Sequence, residues 1–294
     1  MRILVVALNP SIDAEWHVDE VRWEEKNSIR AERRWAGGKG VNVARWLKYL
    51  GAEPKLVLPL GGAAGRELAD GLRAEHLPAR IVPIQPATRV NVVVTAKSGR
   101  QLRFNPPGPH LSRQEWLAIL NAVDQELKHA SLLILSGSLP RGLATAAYAQ
   151  LIRRAKRAGI RTLLDCDGPA LSQGARAQPF LIKPNQHELE QWCGRRLASE
   201  AAVLRAAKEL STVSRGWVLV SRGAKPALLV NVEADGHFRA RPPRLMVQNT
   251  VGAGDALLAA LAQAVGNEAP PHSWLRAAIS AGSAATQCEA GKLP

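Results

Sequence analysis

The sequence predicts an α/β fold in which a mostly parallel β-sheet is covered by helices on both faces and carries a small antiparallel β lid. Short runs rich in Leu, Ile and Val alternate with helical patterns, as is typical of parallel strands buried on both faces. Two segments, about 12–35 and 87–104, break this rhythm because apolar and polar residues alternate within them. With 294 residues, 46% of them hydrophobic, the chain can bury one large core. We therefore expect one domain over residues 1–294 into which the two lid segments are inserted.

Seven apolar runs are the predicted strands of the central sheet. The first begins at Ile3 and ends just before Asn9-Pro10, which indicates a strand that leads into a functional loop. The predicted strands lie at residues 3–8, 55–60, 131–136, 161–165, 179–183, 216–221 and 226–232.

Eight segments have the apolar spacing of helices that pack on a sheet. Gly51 and Gly159 follow two of them, and glycine is the preferred residue just after a helix end. The predicted helices lie at residues 41–50, 65–76, 113–128, 144–158, 186–192, 199–212, 254–265 and 272–287.

Both lid segments are predicted antiparallel hairpins with one polar face. In the second, Arg89 to Thr95 alternates polar and apolar residues, and Ser98-Gly99 supplies the turn before a return strand. Small hairpins inserted into an α/β core are suited to cover a binding site. Because such hairpins have exposed edges, which proteins tend to cover, we expect a homodimer in which two lids pack together.

The formal net charge of +14 does not indicate a nucleic-acid-binding protein. The basic residues are scattered, and no helix-turn-helix, zinc finger or aromatic-plus-basic RNA motif is recognisable. We expect the surplus charge to attract anionic small substrates.

Neither a membrane protein nor a disulfide-bonded one is predicted. No apolar run reaches about 18 residues, and the short apolar N-terminus fits a first strand better than a signal peptide. The three cysteines, Cys166, Cys193 and Cys288, lack the spacing of a disulfide framework or zinc site. We expect a cytoplasmic protein without membrane contacts.

The most informative segment is the glycine-rich turn at residues 247–256, which opens onto an Ala/Leu-rich helical run. Its glycines free main-chain N–H groups to converge on an anion, and the helix adds its positive dipole end. Phosphoryl transfer to a hydroxyl requires such an anion site beside a base. Asp255 is the candidate base, and Gly252, Ala253 and Gly254 supply the amides. The structural alternative for Asp255 is a helix-capping carboxylate worth about 1 kcal/mol.

A second glycine cluster, Gly37-Gly38-Lys39-Gly40, stands just before another predicted helix. Asn42 lies in the first turn of that helix and can both donate to and accept from hydroxyl groups. Neither cluster has the G-x-x-x-x-G-K-[ST] or G-x-G-x-x-G pattern, so a Walker A loop and a dinucleotide site are disfavoured.

Together the two clusters resemble the two signatures of the ribokinase-like (PfkB) carbohydrate kinase family. Five further fragments, in the expected order over nearly the whole chain, resemble its phosphosugar branch of 1-phosphofructokinase and tagatose-6-phosphate kinase. They are Asn9-Pro10-Ser11-Ile12-Asp13, Thr88-Arg89-Val90-Asn91, Asn105-Pro106-Pro107-Gly108-Pro109, Ser136-Gly137-Ser138-Leu139-Pro140 and Lys183-Pro184-Asn185-Gln186-His187-Glu188. The resemblance implies a ribokinase-like three-layer sandwich and the use of ATP and Mg²⁺.

The same resemblance implies roles for the residues that could hold a sugar phosphate. Sugar hydroxyls would contact an acceptor carboxylate and the early glycine cluster, and basic residues would hold the phosphate that the sugar already carries. The hydroxyl contacts are assigned to Asp13, Gly38 and Asn42, and the phosphate contacts to Arg89, Lys39, Lys26 and Ser138.

On the nucleotide side, Lys183, Asn185, Ser221 and Gly223 match positions at which the family binds ATP. Asn185 and Glu188 stand at i and i+3 near a helix start, which suits an Mg²⁺ ion held through water. A capping-box interaction explains the same spacing, and the sequence leaves both interpretations open. Residues near 275–287 are expected to help line the pocket for the base.

Three positions depart from the family pattern. Asn249 replaces a frequent Asp, which reduces the negative charge available to a monovalent cation; such a cation is an additional candidate cofactor. Ser28 stands where the branch often has arginine, and Pro226 where the family usually has glycine.

The resemblance predicts an enzyme that transfers the terminal phosphoryl group of ATP in line to a ketohexose phosphate. Fructose 1-phosphate is the first candidate substrate, followed by tagatose 6-phosphate and fructose 6-phosphate. Two alternatives are a kinase of an unphosphorylated sugar or nucleoside, and a catalytically silent sugar-phosphate sensor on the same scaffold.

Overall fold

A computed structural model describes residues 1–289 and 291–294 of the chain. Its strands in chain order are β1 (Arg2–Val6), β2 (Ser11–Val18), β3 (Ala31–Gly37), β4 (Glu53–Leu60), β5 (Ala79–Pro83), β6 (Arg89–Ala96), β7 (Gln101–Phe104), β8 (Leu132–Ser136), β9 (Arg161–Asp165), β10 (Leu181–Ile182), β11 (Trp217–Val220), β12 (Ala227–Asn231) and β13 (Gly236–Ala240). Its helices are α1 (Lys39–Tyr49), α2 (Gly62–Ala74), α3 (Arg113–Leu127), α4 (Ala147–Arg157), α5 (Gly168–Arg176), α6 (Gln186–Cys193), α7 (Glu200–Ser214), α8 (Ala253–Gly266) and α9 (Pro271–Ala285).

Nine strands form the central sheet in the order β13-β12-β11-β10-β9-β8-β1-β4-β5. From β11 to β5 every neighbouring pair is parallel, and β12 and β13 add an antiparallel edge. The mostly parallel sheet of the predicted fold class is confirmed.

Successive residues of β1 point to opposite faces of this sheet, as the pleat requires. Ile3 and Val5 pack with residues of α1, α8 and α9, whereas Leu4 and Val6 pack with residues of α3, α4 and α7. Two apolar layers therefore enclose the sheet, giving the three-layer architecture that the alternation of strands and helices predicts.

The lid is a separate four-stranded sheet in the order β3-β2-β6-β7. Each predicted segment forms an antiparallel hairpin, β2 with β3 and β6 with β7. The two hairpins join through β2 and β6, which run parallel to each other over the whole length of β2. This long parallel pairing connects segments far apart in sequence, and neither hairpin alone predicts it.

Three elements, β5, β13 and α5, are not predicted by the sequence. β5 and β13 lie at the two edges of the central sheet, where proline, glycine and exposed polar residues are tolerated. α5 begins with Gly168-Pro169 and contains Gly174, so its helical pattern is weak. Conversely, Gly51 and Gly159 have φ angles of 85° and 73° just after α1 and α4, as the C-terminal glycine signals predict.

Within the described part of the chain, every helix is too short or too polar to cross a membrane. Cys166, Cys193 and Cys288 are all free thiols, as their spacing predicts.

Candidate active site

A cavity of about 630 Å³ opens where the parallel strands end. Ser136 closes β8, Asp165 closes β9, Lys183 follows β10 and Ser221 follows β11, and all four residues line the cavity. The carboxyl ends of parallel strands are the usual place for a site in an open α/β sheet, because the loops that leave them converge there.

The lid forms the opposite wall of this cavity. Asp13 of β2 pairs directly with Trp35 of β3 and with Asn91 of β6. Residues directly opposite one another in a sheet share a face, and all three line the cavity. The pleat thus determines which lid residues face a ligand.

Asp13 is held by two donors. The Ser11 hydroxyl donates to Asp13 Oδ1 at 2.7 Å, and Asn91 Nδ2 donates to the same oxygen at 2.9 Å. A Cβ atom on Gly37 would lie 2.2 Å from Asp13 Oδ2, so glycine is required there for the carboxylate to take this position. Asp13 can therefore present its second oxygen to a hydroxyl donor.

Arg89 lies at the start of β6, beside the loop that follows β1. Its guanidinium donates to the carbonyl oxygens of Asn9, at 2.9 Å, and Pro106, at 3.0 Å, while its buried Nε has no hydrogen-bond partner. Burial lowers the pKa of Arg89, and the nearby Asp13 carboxylate offsets this only in part. Ser138 accepts a hydrogen bond from Asn9 Nδ2 at 3.1 Å and lines the same cavity.

The late glycine cluster forms the start of α8. Gly252 caps the helix with φ of 81°, a left-handed conformation that glycine adopts without strain. The N–H group of Ala253 donates to Thr250 O at 3.4 Å, and that of Asp255 to Gly252 O at 3.0 Å. A Cβ atom on Gly254 would lie 3.7 Å from Lys183 Nζ. The turn therefore brings the positive end of α8 close to a lysine ammonium group.

Asp255 is only 6% exposed, although it lines the cavity. Burial, followed by repulsion from the Asp165 carboxylate, raises the pKa of Asp255 to about 7. Asn42 Nδ2 donates to Asp255 Oδ2 at 2.9 Å. Arg45 donates to the amide oxygen of Asn42 at 3.0 Å, so the amide is oriented with its NH₂ group toward the carboxylate.

Asp165, 1% exposed, holds two lysines beside Asp255. Its Oδ1 lies 3.4 Å from Lys39 Nζ and 3.3 Å from Lys183 Nζ. Burial alone would raise the pKa of Asp165, but Lys183 and Lys39 outweigh it and hold the pKa below its ordinary value. Asp165 in turn raises the pKa of Lys39. Asp165 Oδ2 is buried without a hydrogen-bond partner.

Asn185 and Glu188 form a reciprocal capping box at the start of α6. Asn185 Oδ1 accepts from the Glu188 N–H group at 2.9 Å, and Glu188 Oε2 accepts from the Asn185 N–H group at 2.8 Å. The capping box, which was the structural alternative for this pair, therefore forms. The other carboxylate oxygen, Glu188 Oε1, lies 3.5 Å from Lys39 Nζ, and both residues line the cavity.

A second, apolar pocket of about 330 Å³ adjoins the polar cavity. Ser221 and Gly254 line both. Four residues of the range expected to surround a nucleotide base also line the apolar pocket: Ile279, Gly282, Ser283 and Thr286. An apolar pocket joined to a polar, basic one suits a ligand with a flat base and a charged tail.

A family model described as pfkB family carbohydrate kinase matches residues 6–294. The chain belongs to this family.

Relatives of the kinase include two phosphofructokinases. This chain is 35% identical over 289 residues to the ATP-dependent 6-phosphofructokinase isozyme 2 of Escherichia coli (strain K12), and the match covers 97% of this chain and 93% of that protein. This chain is also 32% identical over 282 residues to the 1-phosphofructokinase of Bacillus subtilis (strain 168), and that match covers 96% of this chain and 91% of that protein. A solved structure of phosphofructokinase-2 from Escherichia coli in complex with potassium superimposes with a TM-score of 0.92 at 34% identity, covering 99% of this chain and 94% of that chain. The chain is therefore a carbohydrate kinase, an enzyme that transfers phosphate to a hydroxyl group, and both named relatives are phosphofructokinases.

Most of the residues proposed from the sequence of this kinase meet around the two pockets. The polar cavity is lined by Asp13, Gly38, Lys39, Asn42, Arg89, Ser138, Lys183, Asn185, Glu188, Ser221, Gly252, Gly254 and Asp255, whereas Ala253 and Gly223 line the apolar pocket.

One of the predicted phosphate contacts needs correction, and a second has an additional role. Lys26, expected to hold the substrate's phosphate, is exposed between β2 and β3 and is absent from the residues that line the cavity. Lys39, expected to do the same, lines the cavity, and Asp165 and Glu188 engage its ammonium group there. Of Lys26, Lys39 and Arg89, only Arg89 both lines the cavity and lacks an ion pair with a carboxylate of the described residues.

Sequence reasoning missed Asp165, Asn91, Arg45 and Arg103. Asp165 ends a predicted parallel strand, which is a usual position for a site residue. Arg45 stands three residues after Asn42 and so lies on the same helix face. Arg103 lines the cavity because it is opposite Val93 in the β6–β7 hairpin, and its assignment required the strand register.

The buried Asp255 of the kinase predicts a pH-dependent gain in stability when its charge is removed. The pKa of Asp255 is about 7 in the folded protein against an ordinary value of 3.8, so the folded state holds this proton more tightly than the unfolded state. Proton binding by Asp255 therefore stabilises the fold fully below pH 3.8, and this contribution is lost as the pH rises through 7. Asp255→Asn avoids this loss. Its unfolding free energy should exceed that of the wild type by up to about 4 kcal/mol at pH 8, and by much less at pH 4.

Urea unfolding at the two pH values measures this difference. Asp235→Asn is the matched control, because Asp235 is exposed and its φ of 45° suits asparagine; it should change stability equally at both pH values. An Asp255→Asn protein that is no more stable than the wild type at pH 8 would contradict the buried, raised-pKa state of Asp255.

Proposed function

We propose that the protein catalyses ATP-dependent phosphorylation of a primary hydroxyl of a ketohexose phosphate by direct in-line transfer. The observation that carries the proposal is that Asp255, beside the glycine turn, and Arg89, on the lid, line the same cavity. The first is suited to accept a proton and the second to bind a phosphate. The named relatives are a 6-phosphofructokinase and a 1-phosphofructokinase. Fructose 1-phosphate is the first candidate substrate, and tagatose 6-phosphate and fructose 6-phosphate are the alternatives.

Asp255 is the proposed general base. A base with a pKa near 7 is partly ionised at neutral pH and still takes a proton readily. Asn42 fixes the carboxylate at 2.9 Å, and an Asp13 oxygen is available to orient another hydroxyl of the sugar. The acceptor hydroxyl would then be held toward the nucleotide phosphate, which is the positioning that phosphoryl transfer mainly requires.

The glycine turn and Lys183 are proposed to stabilise the transferring phosphoryl group. Of the three amides assigned from the sequence, the Ala253 N–H group donates to Thr250 O at 3.4 Å, which leaves those of Gly252 and Gly254 for the ligand. These two N–H groups and the helix dipole favour negative charge there. Lys183 Nζ lies 3.3 Å from Asp165 and beside Gly254, from where it can reach a phosphate oxygen. The adjoining apolar pocket would hold the base of ATP, with Ser221 and Gly223 at its entrance.

The residues present fit Mg²⁺ bound mainly through phosphates and water. In the described part of the chain, no cluster of three His, Cys, Asp or Glu side chains could enclose a metal, whereas Mg²⁺ commonly uses one or two carboxylates together with substrate phosphates. Glu188 Oε1 and the unpartnered Asp165 Oδ2 are the available oxygens. When bound, the ion would neutralise charge on the ATP phosphates.

A monovalent cation is proposed as an additional cofactor because the similar phosphofructokinase-2 was solved in complex with potassium. Asn249 is the residue at issue. Its Oδ1 accepts a hydrogen bond from the Val251 N–H group at 2.9 Å, so the side chain supports the turn that leads to Gly252.

A substrate panel tests the proposed activity. ADP release should be observed with at least one of fructose 1-phosphate, tagatose 6-phosphate and fructose 6-phosphate, and Asp255→Asn should lower kcat at least about 100-fold. Turnover of free ribose or a nucleoside, with no turnover of any phosphorylated ketose, would contradict the proposal.

The Arg89→Ala variant locates the docking site of the substrate's phosphate within the same panel. Loss of a charge-assisted pair should raise KM for the phosphorylated ketose at least about tenfold and leave kcat within a few fold. Arg100→Ala is the matched control, because Arg100 is an exposed arginine of the same lid. Equal KM values in the two variants would assign the phosphate to another residue.

We propose that two copies of the chain associate through their lids. β7 is an edge strand, and Phe104 at its end is 55% exposed; exposed sheet edges favour pairing. Light scattering at micromolar concentration should give about twice the chain mass of 31.7 kDa, and Phe104→Glu should reduce it. Leu117→Glu on α3, where Leu117 is 49% exposed, should not. A wild-type monomer would contradict the proposal.

A further inference from the structure

The chain that follows α9 connects the two walls of the substrate cavity. We call residues 286–289 and 291–293 the C-terminal strap. At its start, Thr286 O accepts from the N–H groups of Gln248, at 2.8 Å, and Asn249, at 3.2 Å. These two residues immediately precede the glycine turn. The start of the strap is therefore tied to the nucleotide side of the site by main-chain bonds.

Further along, the strap contacts lid strand β3. Glu289 Oε2 lies 2.6 Å from an Arg33 guanidinium nitrogen, although the residues are 256 positions apart. The Arg33 guanidinium also lies 3.9 Å from Glu15 and stacks over the Trp35 ring at 5.3 Å. Glu289 thus acts on a cation that itself touches two residues of the lid.

Gly291 lies directly against the indole of Trp35. A Cβ atom at Gly291 would be 2.7 Å from Trp35 Nε1, and Gly291 has φ of 75°. Both the conformation and the close approach favour glycine. Leu293, two residues on, packs against the main hydrophobic core, so the strap is anchored on both sides of its contact with the lid.

The lid residues that the strap touches belong to the wall that faces the substrate. Trp35 is the direct cross-strand partner of Asp13, and Arg33 that of Glu15. Trp35 and Glu15 both line the cavity, and Glu15 is only 9% exposed. The Glu15 carboxylate accepts a hydrogen bond from Thr95 Oγ1 at 3.1 Å and lies 3.6 Å from His17 Nε2 and 3.9 Å from an Arg33 nitrogen. Of these neighbours, Arg33 is the one that Glu289 holds.

We propose that Glu289 and Gly291 are positioning residues for the sugar phosphate: they hold Arg33 and Trp35 so that the cavity wall beside Asp13 is formed before the substrate arrives. The proposal rests on the proposed function, since it names residues that act on the same site. Ordering this wall in advance removes an entropic cost from substrate binding. Variants of the strap should therefore affect binding of the sugar phosphate and leave the chemical step unchanged.

Steady-state kinetics of Glu289→Gln and Gly291→Val test the proposal. The exposed ion pair is worth little by itself, so Glu289→Gln should raise KM for the sugar phosphate about threefold to fivefold. Gly291→Val must displace the indole or the strap and should raise it about tenfold or more. In both variants kcat and KM for ATP should stay within about twofold of the wild type. Glu233→Gln is the control, because Glu233 forms a comparable ion pair with Arg215 at 2.7 Å away from the cavity.

A double-variant cycle distinguishes an effect of Glu289 through Arg33 from a general loss of rigidity in the protein. If Glu289 acts through Arg33, the KM of Arg33→Gln combined with Glu289→Gln should equal that of Arg33→Gln alone. Multiplicative effects in the double variant, or an equal rise of KM for ATP in Glu289→Gln, would overturn the proposal.

Hydrogen exchange of the β3 amides, measured without substrate, tests the strap independently of turnover. Both strap variants should exchange faster than the wild type at β3, and Glu233→Gln should not. Unchanged protection of the β3 amides in both variants would overturn the proposal that the strap orders β3. Absence of turnover by the wild type with every sugar phosphate would instead overturn the proposed function, so the two failures are distinguishable.

Discussion

The interaction on which the site depends is the buried ion cluster around Asp165. Two ammonium groups, Lys39 and Lys183, share its Oδ1 atom at 3.4 and 3.3 Å, and Glu188 and Asp255 stand beside them. With Asp255 protonated, the cluster balances two positive and two negative charges. An ionised Asp255, which is only 6% exposed, adds one negative charge that neither lysine of the cluster balances. Taking up a proton therefore restores the balance, and a group poised in this way is a suitable acceptor for the proton of a hydroxyl.

The fold places this cluster at the ends of strands and the starts of helices. Asp165 and Lys183 stand at the carboxyl ends of the neighbouring parallel strands β9 and β10, and therefore at the same edge of the sheet. Lys39 and Asn42 come from the first turn of α1, and Asp255 from the first turn of α8. The lid then closes the space above them. Lys39, Asp165 and Asp255 belong to elements that also supply buried apolar residues to the core, so the packing of the core also positions these charges.

The sequence predicted the parts of the fold and site that depend on local pattern. The glycine turn before an apolar run located Asp255, the early glycine cluster located Asn42, and alternating residues located both lid hairpins. What it did not predict depends on pairing between distant segments. The parallel β2–β6 junction, the cavity-facing side of Arg103 and the engagement of Lys39 by Asp165 all require strand register or side-chain placement. The spacing of Asn185 and Glu188 had two interpretations, and the structure shows the capping box without testing the metal role.

The pH dependence of kcat at saturating substrates tests the central claim, that Asp255 is a base whose pKa is set by burial and by its neighbours. In the wild type, kcat should fall as the pH decreases through about 7, because Asp255 becomes protonated. In Asn42→Ala, which loses the hydrogen bond that lowers this pKa, the same limb should lie at higher pH. A wild-type kcat that stays constant between pH 5.5 and 8, or a limb at the same pH in both proteins, would contradict the account.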